Sequence, residues 1–337
     1  METKLLSNST ADLQEAAHLL KEGNVVGIPT ETVYGLAADA RNPEAVRQIF
    51  AAKGRPADNP LIVHIAKLEE LESVAVSVPE LALKLAEKFW PGPLTMILPK
   101  HPSIPVITSG GLDTVGVRMP SHLVARKLIE LSGVPIAAPS ANISGYPSPT
   151  TAQHVMRDMH GKIAAVVDGG DCCVGVESTV IALEGEDSVR ILRPGYVTKE
   201  MLETVVPHVT LDKAILHQLQ EGQIVRSPGM KYQHYSPHAH VTLIEGRWPE
   251  FAAWVQQHAE AGTYALVFDG EGADLSVPYL TYGTGDAEQA HQVFAKLREL
   301  DDIGAKRVFV RAPNPNGIGL AVYNRLIRAA GFEVIQV

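Results

Sequence analysis

At 337 residues and roughly 150 residues per domain, the chain suggests two domains, each large enough to bury its own core. A hydrophobic fraction of 45%, a charged fraction of 20% and a mean hydropathy of +0.03 exclude a disordered or collagen-like chain. The formal charge of −9 argues against a surface that holds nucleic acid by global basicity. Neither half hides a basic domain, since residues 1–206 carry 18 basic and 24 acidic residues and residues 207–337 carry 11 and 14.

In chain order, Ser9-Thr10-Ala11-Asp12-Leu13 reads as a capping-box-like start for a helix through Lys21, and Val25–Ile28 as a buried strand closed by Pro29. Residues 30–36 follow as a loop, Pro43 to Ala52 as a helix with Ala45, Ile49 and Phe50 inward, then a basic loop, Lys53-Gly54-Arg55-Pro56, and a strand over 61–65. The pattern next predicts a helix at 79–89, strands at 94–98 and 115–119, a helix at 122–131 and a short strand at 135–138 ending in Pro139-Ser140-Ala141-Asn142. A helix at 151–159, a strand at 164–168 and an antiparallel pair, 178–183 with 189–193, complete a first domain taken to residue 207. Residues 208–240 are read as a linker or lid, and the stretch 222–240 contains Lys, Arg, His and Tyr but no acidic residue. From residue 241 to 337, strands alternate with helices, which predicts a smaller parallel α/β domain.

No apolar run approaches the roughly 18 residues of a membrane span, and the N-terminus lacks a signal-peptide pattern, so a cytoplasmic protein without membrane partners is expected. The only cysteines, Cys172 and Cys173, are adjacent and cannot form a C-x-x-C metal pair. The chain has no phosphate loop, no H-E-x-x-H, no G-x-S-x-G and no G-x-G-x-x-G after a strand. What remains is a set of polar residues at strand ends: Thr32, Lys53, Arg55, Asn59, His64, Arg118, Ser140, Asn142 and Arg193. Arg and Lys in Gly- and Pro-rich loops suit phosphate oxygens, and Ser and Asn can complete coordination of phosphate or Mg²⁺, a set suited to phosphoryl or adenylyl transfer.

Taken singly, each residue also has a plainer reading. Lys53 and Arg55 can be a charge pair at a helix C-terminus, His64 a satisfied core histidine, Arg118 the outward residue of an edge strand, and Ser140 with Asn142 an Asx-type turn. Glu177 and Asp168 read as solvated loop carboxylates.

The order and wording of the segments narrow the choice. PTETVYGLAADA at 29–40, KGRPADNPLIVHI at 53–65, FWPGPLTMIL at 89–98, VGVRMPSH at 115–122, APSANISGYPSPT at 138–150, GVESTVIAL at 175–183, ILRPG at 191–195 and SPGMKYQHYSPHAHV at 227–241 together resemble the YrdC-like family. Within it, the chain is similar to the two-domain L-threonylcarbamoyladenylate synthases, over nearly its whole length. The resemblance implies an N-terminal YrdC-like twisted mixed sheet with flanking helices, and a C-terminal Rossmann-like parallel α/β domain joined by a long linker. It further implies synthesis of L-threonylcarbamoyl-AMP and pyrophosphate from L-threonine, bicarbonate or CO2, and ATP with Mg²⁺. The product would pass to a tRNA threonylcarbamoyl-transferase machinery, with tRNA only the downstream acceptor.

Position by position, the resemblance assigns Lys53, Arg55, Ser140 and Asn142 to catalysis and to phosphate and adenylate binding. Asn59, Thr114, Ser148 and Arg193 match further nucleotide contacts, and Tyr232 a lid residue over the nucleotide. Thr32, His64, Arg118, Ala138 and Ser178 match the threonine pocket, with Arg118 the expected partner of the amino-acid carboxylate. No direct protein ligand for a metal is implied, so Mg²⁺ is expected to arrive with ATP. An RNA-binding module is disfavoured by the negative charge of both halves and the lack of an RNP-type aromatic motif. A carbamoyl-transfer maturation factor of the same module would need cysteine-rich zinc motifs that two adjacent cysteines cannot supply.

Overall fold

The computed structural model describes residues 2–217 and 234–337, which fall into two units. The first unit comprises residues 2–144 and 148–215; the second comprises 145–147, 216–217 and 234–337.

The first unit opens with β1 (Lys4–Leu6) and α1 (Thr10–Lys21), whose start is set by the Ser9 hydroxyl accepting the Asp12 amide at 3.3 Å. Asp12 does not close a reciprocal box on Ser9. Its Oδ2 accepts the Ser7 amide at 2.7 Å instead. β2 (Val26–Ile28) and β3 (Gly35–Asp39) pair antiparallel around the loop between them, and β3 begins inside the stretch expected to be loop. Its Gly-Leu-Ala-Ala-Asp sequence carries no β-branched residue, so sheet pairing on both sides, not intrinsic propensity, holds it extended. α2 (Pro43–Lys53) is capped by Asn42 and stopped by Gly54 in the left-handed conformation, which ends the helix directly after Lys53.

Then come β4 (Ile62–His64), α3 (Glu80–Phe89), β5 (Leu94–Pro99), β6 (Thr114–Arg118), α4 (Leu123–Ser132), β7 (Ile136–Ala137), α5 (Ala152–Met159), β8 (Ala165–Val167), β9 (Thr179–Leu183), β10 (Ser188–Arg193), α6 (Lys199–Glu203) and β11 (His208–Leu211). All eleven strands form one mixed sheet, ordered β1-β8-β2-β3-β7-β4-β6-β5-β9-β10-β11. Leu13, Ala16, Ala17 and Leu20 of α1 and Ala125, Leu128 and Ile129 of α4 bury against Val26, Ile28, Ala37 and Val167 of the sheet. Each fully buried leucine contributes about 1.5–3 kcal/mol. β1 and β11 were not legible as strands. Both are short and gain their register by parallel pairing, β1 with β8 and β11 with β10, so the sheet runs to Leu211, past residue 207.

The second unit holds β12 (His240–Glu245), α7 (Trp248–His258), β13 (Thr263–Val267), β14 (Tyr279–Thr281), α8 (Asp286–Asp302), β15 (Arg307–Arg311), α9 (Gly317–Ala329) and β16 (Val334–Gln336). Its five strands are all parallel, in the order β14-β13-β15-β12-β16. The order differs from that of a dinucleotide-binding fold, because β15 lies between β12 and β13 and separates two consecutive strands that such a fold keeps adjacent. Ile244, Phe251, Val255, Ala265, Val267 and Phe309 form its core. Residues 145–147 belong to this unit: the Tyr146 hydroxyl donates to Asp301 Oδ2, Arg298 Nη2 donates to the Pro147 carbonyl at 2.7 Å, and the Ser236 amide donates to the Gly145 carbonyl at 2.9 Å. Among the described residues no helix is long and apolar enough to cross a membrane.

Gly195 follows β10 where there is no room for a side chain. A Cβ there would lie 2.4 Å from the Thr179 amide nitrogen and 2.7 Å from the Glu177 carbonyl oxygen, all backbone atoms that cannot rotate away. Gly195→Ala is expected to lower stability by about 1–3 kcal/mol, read as a reduced midpoint of denaturant unfolding.

Candidate functional site

The loop between β2 and β3 is built by its own hydroxyls. Thr30 Oγ1 donates to the Val33 carbonyl at 2.6 Å and accepts the amides of Thr32 and Val33, and it lies 2.8 Å from Thr32 Oγ1. β4 and β6 run parallel with His64 and Arg118 as register partners, so both residues stand at the same end of adjacent strands. Arg118 is buried, and its three nitrogens reach three partners: Nε donates to the Gly92 carbonyl at 3.3 Å, Nη1 to Thr32 Oγ1 at 3.0 Å, and Nη2 lies 2.6 Å from Glu31 Oε1. β6 sits between β4 and β5, which rules out the edge-strand reading of Arg118.

Glu31 is also buried. Burial by itself raises its carboxyl pKa, but the adjacent Arg118 charge outweighs it, helped by backbone amides, and the group is held below its ordinary value. His64 is driven the other way, down to about 3, first by burial and then by the neighbouring Arg118 charge. The imidazole is therefore neutral at pH 7.

Lys53 is not a solvated helix-end charge. Only 3% exposed, its ammonium donates to the Ser140 carbonyl, to the Asn142 carbonyl at 2.7 Å and to Asn142 Oδ1 at 3.5 Å. The loop after β7 is in turn tied to α2 by the Ser144 amide on the Lys53 carbonyl at 3.0 Å. Ser140 and Asn142 therefore belong to a cation-centred cluster, which goes beyond a simple turn. Arg55 is buried with its guanidinium 5.9 Å from the Phe50 ring centroid.

A third group forms where β9 and β10 meet. Arg193 donates from Nε to the Ser178 carbonyl at 3.1 Å and from Nη2 to Ser178 Oγ at 3.2 Å, and Thr95 Oγ1 lies 2.8 Å from the same hydroxyl. Beside it the Ser148 hydroxyl donates to Glu177 Oε1 at 2.6 Å. Glu177 is buried, so its reading as a solvated carboxylate is corrected: the loop packed against Gly195 folds it inward onto Ser148. Asp168 is half-buried and accepts the Gly170 amide, as a turn carboxylate does.

Backbone hydrogen bonds lace the three groups around residues 31–36. The Val174 and Gly175 amides donate to the Glu31 and Thr32 carbonyls, the Tyr34 amide to Pro149, the Ala141 amide to Tyr34, and the Leu36 amide to Pro139. Ala138 lies against this segment, 3.1 Å from where a Cβ on Gly35 would stand. Asn59 is fully buried and Thr114 half-buried at the start of β6, and among the described residues no side-chain hydrogen bond joins either to the three groups. Tyr232 lies outside the described residues. Among the described residues no group of three or more His, Cys, Asp or Glu is arranged to hold a metal ion. Glu31 and Thr95 escaped the sequence reading: each is an ordinary residue in its segment, and only the fold brings Arg118 to one and Ser178 to the other.

A family model described as "Telomere recombination" (Sua5, YciO, YrdC) matches residues 18–195, and one described as "Threonylcarbamoyl-AMP synthase, C-terminal domain" matches residues 197–331. A Pyrococcus abyssi protein named threonylcarbamoyl-AMP synthase is 46% identical over 327 residues, covering 96% of this chain and 95% of that one. A Bacillus subtilis protein of the same name is 44% identical over 342 residues, covering 99% and 97%. The crystal structure described as P. abyssi Sua5 complexed with L-threonine superposes with a TM-score of 0.93 at 43% identity, covering 100% of both chains.

The burial of neutral His64 makes stability depend on pH. An unfolded chain takes up a proton near pH 6.5 that the folded site refuses down to about pH 3, so stability falls as pH drops through that window. His64→Gln is expected to lose less stability than the parent between pH 7 and pH 4.5, measured as the change in melting temperature.

Proposed function

Because the chain belongs to the threonylcarbamoyl-AMP synthase family, we propose that this enzyme makes L-threonylcarbamoyl-AMP and pyrophosphate from L-threonine, bicarbonate or CO2, and ATP. The observation that carries this reading is the convergence of two unlike sites on residues 31–36: a cation cluster at Lys53 and a neutral-imidazole pocket at Thr32, His64 and Arg118.

In this reading Thr32, His64, Arg118, Ala138 and Ser178 line the threonine side. Two of the five N–H groups of Arg118 are hydrogen-bonded within the protein, and Nη2, though close to Glu31, makes no hydrogen bond, which leaves donors for a substrate carboxylate. A neutral His64 adds no competing charge. The threonine amine is carboxylated, a carbamate oxygen attacks the α-phosphorus of ATP, the new O–P bond forms, and the α,β-bridging bond breaks with its electron pair leaving on pyrophosphate. Lys53 and Arg55 offset the charge that develops on the phosphate oxygens, and Ser140 and Asn142 orient them. Asn59, Thr114, Ser148 and Arg193 are assigned to the nucleotide, and Tyr232 to closure over it.

Mg²⁺ arriving with the triphosphate would supply further charge neutralisation, and the Ser140 hydroxyl, beside carbonyls already held by Lys53, is the group this chain would offer it. The mixed anhydride is prone to hydrolysis, so burial of the site also protects it. Its consumer is a transferase that places the threonylcarbamoyl group on tRNA as N6-threonylcarbamoyladenosine; tRNA itself is a downstream acceptor.

Pyrophosphate release with ATP, Mg²⁺ and bicarbonate should require L-threonine and be poorly supported by L-serine; threonine-independent or absent release overturns the assignment. Lys53→Ala and Arg55→Ala should each lower turnover by about 10²-fold or more while circular dichroism stays that of the parent.

A further inference from the structure

We infer that Glu31 is a positioning residue for the amino-acid pocket: it holds Arg118 on Thr32 Oγ1, whose own proton is committed to Thr30, so that Thr32 presents a single lone pair that reads a hydrogen-bond donor, an N–H or O–H, of the bound amino acid. The inference rests on the threonine pocket proposed above and assigns the polarity of one of its contacts.

The direction of each hydrogen bond follows from valence. The Val33 carbonyl can only accept, so the single proton of the Thr30 hydroxyl lies on the 2.6 Å contact to it. With that proton committed, the 2.8 Å contact between Thr30 and Thr32 has one possible donor, the Thr32 hydroxyl, and the longer contacts from the Thr32 and Val33 amides at 3.2 and 3.3 Å share the second lone pair of Thr30. Arg118 Nη1 has no lone pair and donates to Thr32 at 3.0 Å. Thr32 Oγ1 thus gives its proton inward to Thr30 and accepts one bond from Arg118. What is left for a ligand is one lone pair.

Two features hold this arrangement. Glu31 and Arg118 form a buried pair at 2.6 Å with side chains 5% and 4% exposed, so the guanidinium cannot leave without stranding a charge. The Gly92 carbonyl fixes the third corner of the fork through Nε. A hydroxyl with a free proton accommodates donors and acceptors alike. A hydroxyl whose proton is committed selects against an acceptor at that position, which makes Glu31 and Thr30 specificity determinants acting through Thr32.

The test is calorimetric titration of L-threonine, and separately of Mg-ATP, into the full chain and its variants. Failure of the parent to bind L-threonine overturns the proposed function itself, whereas the remaining arms judge only this inference. Thr32→Val and Glu31→Gln should each weaken threonine binding by about tenfold or more, the size of a lost charge-assisted hydrogen bond, and leave ATP binding unchanged. Glu31→Asp should recover part of the loss. Because both changes act on one contact, the double variant should be no weaker than the weaker single one. Parent-like binding by Glu31→Gln, or losses that multiply in the double variant, overturns the inference.

Should Glu31→Gln fail to fold, Thr30→Ala frees the Thr32 proton while keeping the ion pair. It should weaken threonine binding selectively, and an unchanged affinity overturns the inference. L-2-Aminobutyrate, which keeps the amine and lacks the hydroxyl, separates the two donors. If Thr32→Val weakens it as much as threonine the amine is read, and if it is unaffected the hydroxyl is read.

Discussion

A buried ion pair organises this molecule. Two charges taken out of water are costly unless each meets the other with good geometry and every remaining donor finds an acceptor. Glu31 and Arg118 meet at 2.6 Å, with Arg118 Nη2 and the Glu31 carboxylate oxygens still open to further hydrogen bonds, and the pair joins a loop between β2 and β3 to the end of β6 in the middle of an eleven-stranded sheet. The same guanidinium reaches the Gly92 carbonyl in the turn before β5 and the Thr32 hydroxyl. Three separate segments therefore share one cation, and the positions of the surrounding groups follow from where it is held.

A second cation plays a similar part a short way along the chain. Lys53, at the end of α2, binds carbonyl oxygens of the loop that follows β7 and brings Ser140 and Asn142 to it. The two arrangements differ: Arg118 faces a carboxylate at 2.6 Å, while Lys53 donates to the backbone carbonyls of Ser140 and Asn142.

Electrostatics also explains why a histidine can stand in such a place. A charged imidazole beside Arg118 would be repelled and desolvated together, and His64 consequently stays neutral far below its usual range. It contributes shape and hydrogen-bonding capacity without changing the charge of the pocket.

Much of this was legible in the amino-acid sequence. Helices with explicit caps, such as the Asn42-Pro43 start of α2 and the Gly54 stop, and long apolar strands such as β5 and β6, carry their signal locally, because capping and side-chain alternation act between residues a few positions apart. Lys53, Arg55, Ser140 and Asn142 were likewise visible as polar residues in turn-rich segments. The short strands β1, β3 and β11 were not, since pairing with distant partners holds them extended. Nor were the roles of Glu31, Thr95 and Glu177: a carboxylate between two threonines reads the same whether solvated or buried. Residue types and their local order suffice for the polar residues of the site and the class of fold, whereas the partners of the buried cations depend on the folded chain, because groups 86 and 87 residues apart meet only once the sheet has formed.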